Sequence, residues 1–247
     1  MSHANNCILS SRCKLASSAQ CNRQCSAYIS LHGYSGKGGR IANAGAPDDY
    51  KLLTLKNSPA RESQAKIYAT LEKYCSTFER QFDEGASRIK SIYMWSESPG
   101  NGKTTSAISV MNEWIIASYL GALRRNRQPS QVPAVFLDTN NFQTDYNLAT
   151  MTNDDAEMAK IRATIQRTQT APFAVLDDIG VRSASEAFRS YVHAIVNYRT
   201  ANGLPTVFTS NLPIEEMAVV FDARLYDRMR DMCAVLHFSG NSFRGRR

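Results

Sequence analysis

Lys103 and Thr104 close the run Glu97-Ser-Pro-Gly-Asn-Gly-Lys-Thr104, whose residue types suit the holding of a phosphate. Glycines let main-chain N–H groups converge on an anion with no Cβ in the way. A helix opening at Lys103 adds unsatisfied donors and partial positive charge. Pro99, Gly100, Asn101, Gly102 and the Thr105 end of the loop would form the cradle. Lys103 would reach the β- and γ-phosphates of a nucleotide, and the Thr104 hydroxyl would ligate Mg²⁺. The phosphate-loop pattern G-x-x-x-x-G-K-[ST] is met except at its first glycine, where this chain has Glu97. A lysine-bearing surface turn is the plain alternative, but it would not need the context seen here. The apolar run Ile92, Tyr93, Met94, Trp95 precedes the loop, and Ile108, Val110, Met111, Trp114, Ile115 and Tyr119 follow it at helical spacing.

Two carboxylates come next in importance. Asp177 and Asp178 end an apolar strand that begins at Ala171. At the end of a strand beside the phosphate loop, Asp177 would hold Mg²⁺ through water, and Asp178 would orient or deprotonate an attacking water. Pro205 to Asn211 reads as another buried strand, and Asn211 could meet the γ-phosphate or that water. Pro133 to Asp138 is a further strand, with Asn140, Asn141 and Gln143 at the end where open α/β sheets place ligands. Cys233 to Phe238 is the last. The elements between them read as helices. One starts at Ser58-Pro59, with Ile67, Leu71, Tyr74, Cys75, Phe78 and Phe82 on one face, and stops at Gly85. Others cover 154–169 and Ala184 to Ala201, where His193 reads as structural. The fold class is therefore α/β.

A chain of 247 residues, 43% hydrophobic and 21% charged, can bury one full core plus a small appendage. A formal charge of +7 makes nucleic acid the natural polyanionic partner, with simple solubility as the other account. No apolar run is long enough to cross a bilayer, and the first residues lack an apolar signal core; the expectation is a cytoplasmic protein without membrane contact. Four of the six cysteines crowd the front of the chain. Cys7-x5-Cys13 and Cys21-x3-Cys25 could supply four thiolates to Zn²⁺, with His32 able to replace one, or they could be free thiols. The expected organisation is a Cys-rich zinc-binding segment over 1–33, a linker over 34–57 that holds all but the first residue of the glycine-rich run Gly33 to Arg40, and an ATPase domain over 58–247.

The order of motifs (phosphate loop, VLDDIG, FTSN, YDRMRD, GNSFR) resembles the DnaC/DnaI-type helicase loaders and the related IstB transposition helper ATPases, all of the AAA+ class. The resemblance covers residues 58 to 247. It implies a central parallel five-stranded sheet flanked by helices, with VLDDIG as the Walker B strand and Asn211 as sensor 1. It also implies that Arg228 is an arginine finger acting in trans and Arg244 a sensor-2-like arginine. DnaI-type loaders carry an N-terminal zinc-binding segment that engages the helicase. The function so implied is ATP-dependent delivery of a DnaB-type hexameric replicative helicase onto single-stranded DNA, with weak ATP hydrolysis until subunits assemble. The alternatives are an IstB-like helper, an adaptor that only binds ATP, and a P-loop kinase; no acceptor site for a kinase is evident.

Overall fold

The computed structural model describes residues 3–152, 154–180 and 185–240. Five strands make one sheet: β1 Ser91–Trp95, β2 Val135–Asp138, β3 Ala174–Asp177, β4 Thr206–Ser210 and β5 Cys233–His237. Their order is β2-β3-β4-β1-β5, and every pairing is parallel. Parallel strands need covered faces, which is why β3 and β4 are buried at every residue. The register sets Asp138 beside Asp177 and Trp95 beside Ser210, so all the polar strand ends face one edge.

The chain supplies nine α-helices among the described residues: α1 Ser26–His32, α2 Gly39–Asn43, α3 Ala65–Cys75, α4 Lys103–Arg124, α5 Thr139–Thr152, α6 Asp155–Thr170, α7 Glu186–Ala201, α8 Met217–Val220 and α9 Ala223–Met232. Ile92, Met94, Val175 and Val207 pack with α3 and α4 on one face of the sheet. Tyr93, Leu176 and Phe208 pack with α5, α7 and α9 on the other. Polar α6 is capped by Asp154, whose carboxylate accepts the N–H groups of Ala156 (2.8 Å) and Glu157 (3.1 Å). Helix α5 lies in a polar stretch, but Phe142, Tyr146 and Ala149 recur at helical spacing and give it a buried face. The helix expected from Ser58 begins only at Ala65. Residues 58–64 are instead drawn over the phosphate loop, where Ala60 packs against Gly102. The Ser58 hydroxyl turns inward to the hydroxyl of Tyr68 rather than capping.

The front of the chain does not stand clear of the core. Ile8, Leu9 and Leu31 join the same apolar cluster as α4. Arg12 pairs with Glu113 of α4 at 2.6 Å, and buried Arg40 of α2 donates to the carbonyls of Ser30, Pro129 and Ser130 at 2.7–2.9 Å. The stretch 34–57, expected as a connector, carries α2 and a short 3-10 turn, Asp48–Tyr50. This second layer explains why α4 is buried on almost every side rather than on one stripe.

His32 is part of this layer. It is 2% exposed, and its Nε2 accepts the Ile8 N–H at 3.0 Å. Burial, and then the charge of Lys51, pull its pKa from 6.5 to about 4. As pH falls through 6.5 the unfolded chain takes up this proton before the folded one does. Stability should therefore drop between pH 6.5 and about 4, by up to ~3 kcal/mol from this group. Urea unfolding of the protein and of His32→Gln at pH 7 and pH 4.5 checks it: the variant should lose that part of the acid sensitivity, and an unchanged pH dependence would disprove the assignment.

Candidate functional site

The loop between β1 and α4 turns on two glycines in the left-handed region, Gly100 at φ +81° and Gly102 at φ +96°. At Gly102 a Cβ would stand 2.5 Å from the Cβ of Ala60, so the loop cannot carry a larger residue there. Asn101 is fully buried. Its amide donates to the Ser96 hydroxyl and, at 3.1 Å, to the Phe238 carbonyl, which ties the loop to the end of β5. Pro99 is exposed at the tip, and Thr105 lies in the first turn of α4. Lys103 is 8% exposed, with Nζ folded toward the carbonyls of Ser98 (3.3 Å) and Ser96 (3.5 Å) and Asn101 Oδ1 (3.5 Å). These are long contacts, weaker than those a phosphate would offer an ammonium. Glu97 is exposed at the mouth, 3.4 Å from Nε2 of His237, whose ring stacks on Trp95 at 4.2 Å.

Across from the loop, Asp177 ends β3 and is 8% exposed. The Thr104 hydroxyl lies 3.0 and 3.1 Å from its two oxygens, and the Thr209 hydroxyl donates to it at 2.6 Å. Burial raises the pKa of this carboxyl. The two hydroxyls oppose that rise, and the charges of Asp138 and Asp178 add to it. A divalent cation shared by Thr104 and Asp177 would relieve both the burial and the repulsion, so this donor set fits Mg²⁺.

Asp178 adopts φ +58°, a left-handed conformation rare for a residue with a Cβ. The surroundings over-determine it. Its N–H donates to the Thr209 hydroxyl at 2.9 Å. The Thr139 hydroxyl lies 2.7 Å from the carbonyls of both Asp177 and Asp178. Its carboxylate accepts from Asn140 at 2.8 Å and from Asn211 at 3.0 Å. An oriented, hydrogen-bonded carboxylate beside a phosphate loop has the arrangement needed to aim a water.

The predicted residues Lys103, Thr104, Asp177, Asp178 and Asn211 thus meet at one edge of the sheet. Thr139 and Thr209 complete the set and were not singled out from sequence. Their only signal was position, one directly after β2 and one inside the FTSN run. Arg228 lies elsewhere: on α9 its guanidinium donates to the Asn197 side chain of α7. Arg244 lies outside the described residues. The expected zinc cage of Cys7, Cys13, Cys21 and Cys25 is not formed, since among the described residues no three His, Cys, Asp or Glu side chains are gathered to hold a metal. None of the four is in a disulfide, yet they lie near enough to interact: burial chiefly raises Cys7, and the charges of Cys25, Cys21 and Cys13 raise it further. His32 is not available as a substitute ligand through Nε2, which is engaged by Ile8.

No protein-family model matches this chain, and no curated protein matches it in sequence. Solved structures do match. A DnaC helicase loader is 19% identical with a TM-score of 0.55, over 78% of this chain and 100% of that one. DnaI is 20% identical with a TM-score of 0.56, over 81% and 94%. AMPPCP-bound DnaA from Aquifex aeolicus is 15% identical with a TM-score of 0.53, over 79% and 51%. The chain has an AAA+-type fold. In this chain's β2-β3-β4-β1-β5 sheet, the glycine loop follows the fourth strand in that order and the acidic pair lies at the end of the second.

Lys103→Ala should weaken binding of a fluorescent ATP analogue on the order of 100-fold, because a charge-assisted contact to phosphate is lost. Undiminished affinity in a folded variant would remove the loop from the site.

Proposed function

We propose that this chain is an ATP-binding and ATP-hydrolysing helicase loader, which delivers a DnaB-type hexameric replicative helicase onto single-stranded DNA in the bacterial cytoplasm. The observation that carries the ATPase part is one continuous network: Thr104 to Asp177, Asp177 to Thr209, Thr209 to Asp178, Asp178 to Asn211. It links the phosphate loop to the acidic strand end and to the neighbouring strand. The loader part draws on the likeness to structures of a DnaC helicase loader and DnaI, and on the net charge of +7. Among the described residues no helix is long and apolar enough to cross a membrane.

In this reading the N–H groups of the loop and Lys103 hold the β- and γ-phosphates. Thr104 and Asp177 would hold Mg²⁺, which neutralises phosphate charge. Asp178, fixed by Asn140 and Asn211, accepts a hydrogen bond from the attacking water and draws its proton. Arg228 would act on the ATP of a neighbouring subunit, and Arg244 on the γ-phosphate within its own. A subunit whose Arg228 is bound to its own Asn197 lacks that charge at its own site, so turnover should be weak until copies assemble on DNA or on the helicase ring. The Cys-rich front would take one Zn²⁺ through Cys7, Cys13, Cys21 and Cys25. The donor chemistry suits it, but the four thiols would have to move inward to close on the metal.

ATP hydrolysis should be low for the protein alone and should rise with single-stranded DNA, more at low salt than at moderate salt. Arg228→Ala should keep ATP binding and lose the stimulated rate, by a factor on the order of 10³ if it behaves as fingers do in GTPases. Loss of binding instead would make Arg228 a residue of its own subunit's site or of the fold. ATP bound but never hydrolysed, with DNA and a ring helicase both present, would favour an adaptor.

Metal analysis should find one zinc per chain, released in Cys21→Ser/Cys25→Ser. Equal metal content in the two proteins would refute the cysteine ligand set.

A further inference from the structure

Val192, Ile195 and Val196 of α7 share an apolar cluster with Leu225 and Met229 of α9. Two polar side chains of α7 add fixed points to that packing. His193 and Asn197 stand one helical turn apart on one face. His193 Nε2 lies 2.8 Å from the carboxylate of Asp222, which caps α9 by accepting the Leu225 N–H at 2.7 Å. Asn197 Oδ1 accepts a hydrogen bond from Nη1 of Arg228, further along α9.

Asn197 is a neutral partner for a charged group. Asp227 is paired with Arg230 at 2.7 Å, and Asp222 is engaged by His193 and by its own cap. Among the described residues Arg228 is in no ion pair, and its Nε and Nη2 meet no acceptor. A guanidinium in a protein is always charged. An amide oxygen therefore fixes one arm of Arg228 and leaves its charge, and the rest of its N–H fork, open to an anion. A carboxylate at position 197 would hold the same arm at least as firmly through a charge-assisted pair, and would cancel the charge.

We propose that Asn197 is a positioning residue for ATP turnover: it aims Arg228 of one subunit at the γ-phosphate held by its neighbour without neutralising it. This rests on the reading of Arg228 as a finger acting in trans, and it names the residue that holds such a finger in place.

The test measures turnover stimulated by a single-stranded oligonucleotide at low salt, for the full chain and for Asn197→Asp, Asn197→Ala and Arg228→Ala. Binding of a fluorescent ATP analogue and thermal melting are followed in each. Asn197→Asp should melt no lower than the unaltered chain and bind the analogue as tightly, yet lose stimulated kcat on the order of 100-fold. Asn197→Ala, which releases Arg228 without neutralising it, should lose about tenfold. A contact that only joins α7 to α9 gives the reverse order, with Asp the milder change, and that order would overturn the proposal. Mixing Asn197→Asp with Asp178→Asn subunits should restore turnover, because the first keeps an intact ATP site and the second an intact finger; no recovery would overturn the assignment. Full stimulated kcat in Asn197→Asp, with that of Arg228→Ala lost, overturns the proposal and leaves the finger standing. No stimulation of the unaltered chain, or stimulation that Arg228→Ala keeps, removes the finger itself and the proposal with it.

Discussion

The buried carboxylate of Asp177 is the constraint on which the site depends. A charge this far from water is costly unless hydrogen bonds replace its hydration. Two hydroxyls do so here, and they come from elements far apart in sequence. Thr104 opens the helix after the phosphate loop, and Thr209 sits in β4. Satisfying Asp177 thus fixes α4 and two strands relative to one another. The same Thr209 hydroxyl accepts the N–H of Asp178, so the geometry that holds the first carboxylate also turns the second into its left-handed conformation. Strain at Asp178 is offset by contacts that exist because Asp177 is where it is.

That precision needs a rigid base, and the packing provides one. Helix α4 is clasped between the sheet and a layer built from the front of the chain, with Glu113 on its outer side held by Arg12 and by the Leu55 N–H. On the far side of the molecule, Arg199 is fully buried, and its guanidinium donates to the carbonyls of Thr168, Ala171 and Pro205 and to the Thr206 hydroxyl. It gathers the end of α6 and the starts of β3 and β4 by filling acceptors that would otherwise be unpaired. The phosphate loop and the acidic strand end therefore rest on elements anchored at both ends of the sheet.

The residues that gather at the candidate site were legible in the sequence because their chemistry is local. Gly102-Lys103-Thr104 and Asp177-Asp178 are short runs whose meaning lies in the residues themselves and in the strand before them. Strands were legible for the same reason, as apolar runs ending in polar residues. What escaped were residues whose role is a long-range contact. Thr139 and Thr209 are ordinary strand-end threonines until the sheet register sets them beside Asp177 and Asp178. The helix start at Ser58 was misread because a local signal, Ser-Pro, lost to a tertiary one, the packing of Ala60 on Gly102. The front of the chain carried too few apolar residues to suggest a core of its own. Ile8, Leu9 and Leu31 are instead borrowed by the core of the domain, which no local pattern reveals.

The departure at Glu97 is explained in the same terms. Among the described residues the non-glycine positions with positive φ are Ser17, Asn126 and Asp178, and Glu97 is not one of them. The left-handed turns of the loop fall on Gly100 and Gly102, so the first position of the pattern needs no glycine for its backbone here. What Glu97 changes is charge. Its carboxylate sits exposed at the mouth of the loop, held below the usual carboxylate range first by a backbone hydrogen bond and then by His237. The side chain leans toward His237 at the end of β5, which stacks on Trp95 beside the loop. Solvent around this exposed side chain screens much of the repulsion its carboxylate would exert on a bound polyphosphate. A residue that breaks the motif in sequence is thus accommodated by shape entirely and by electrostatics in part.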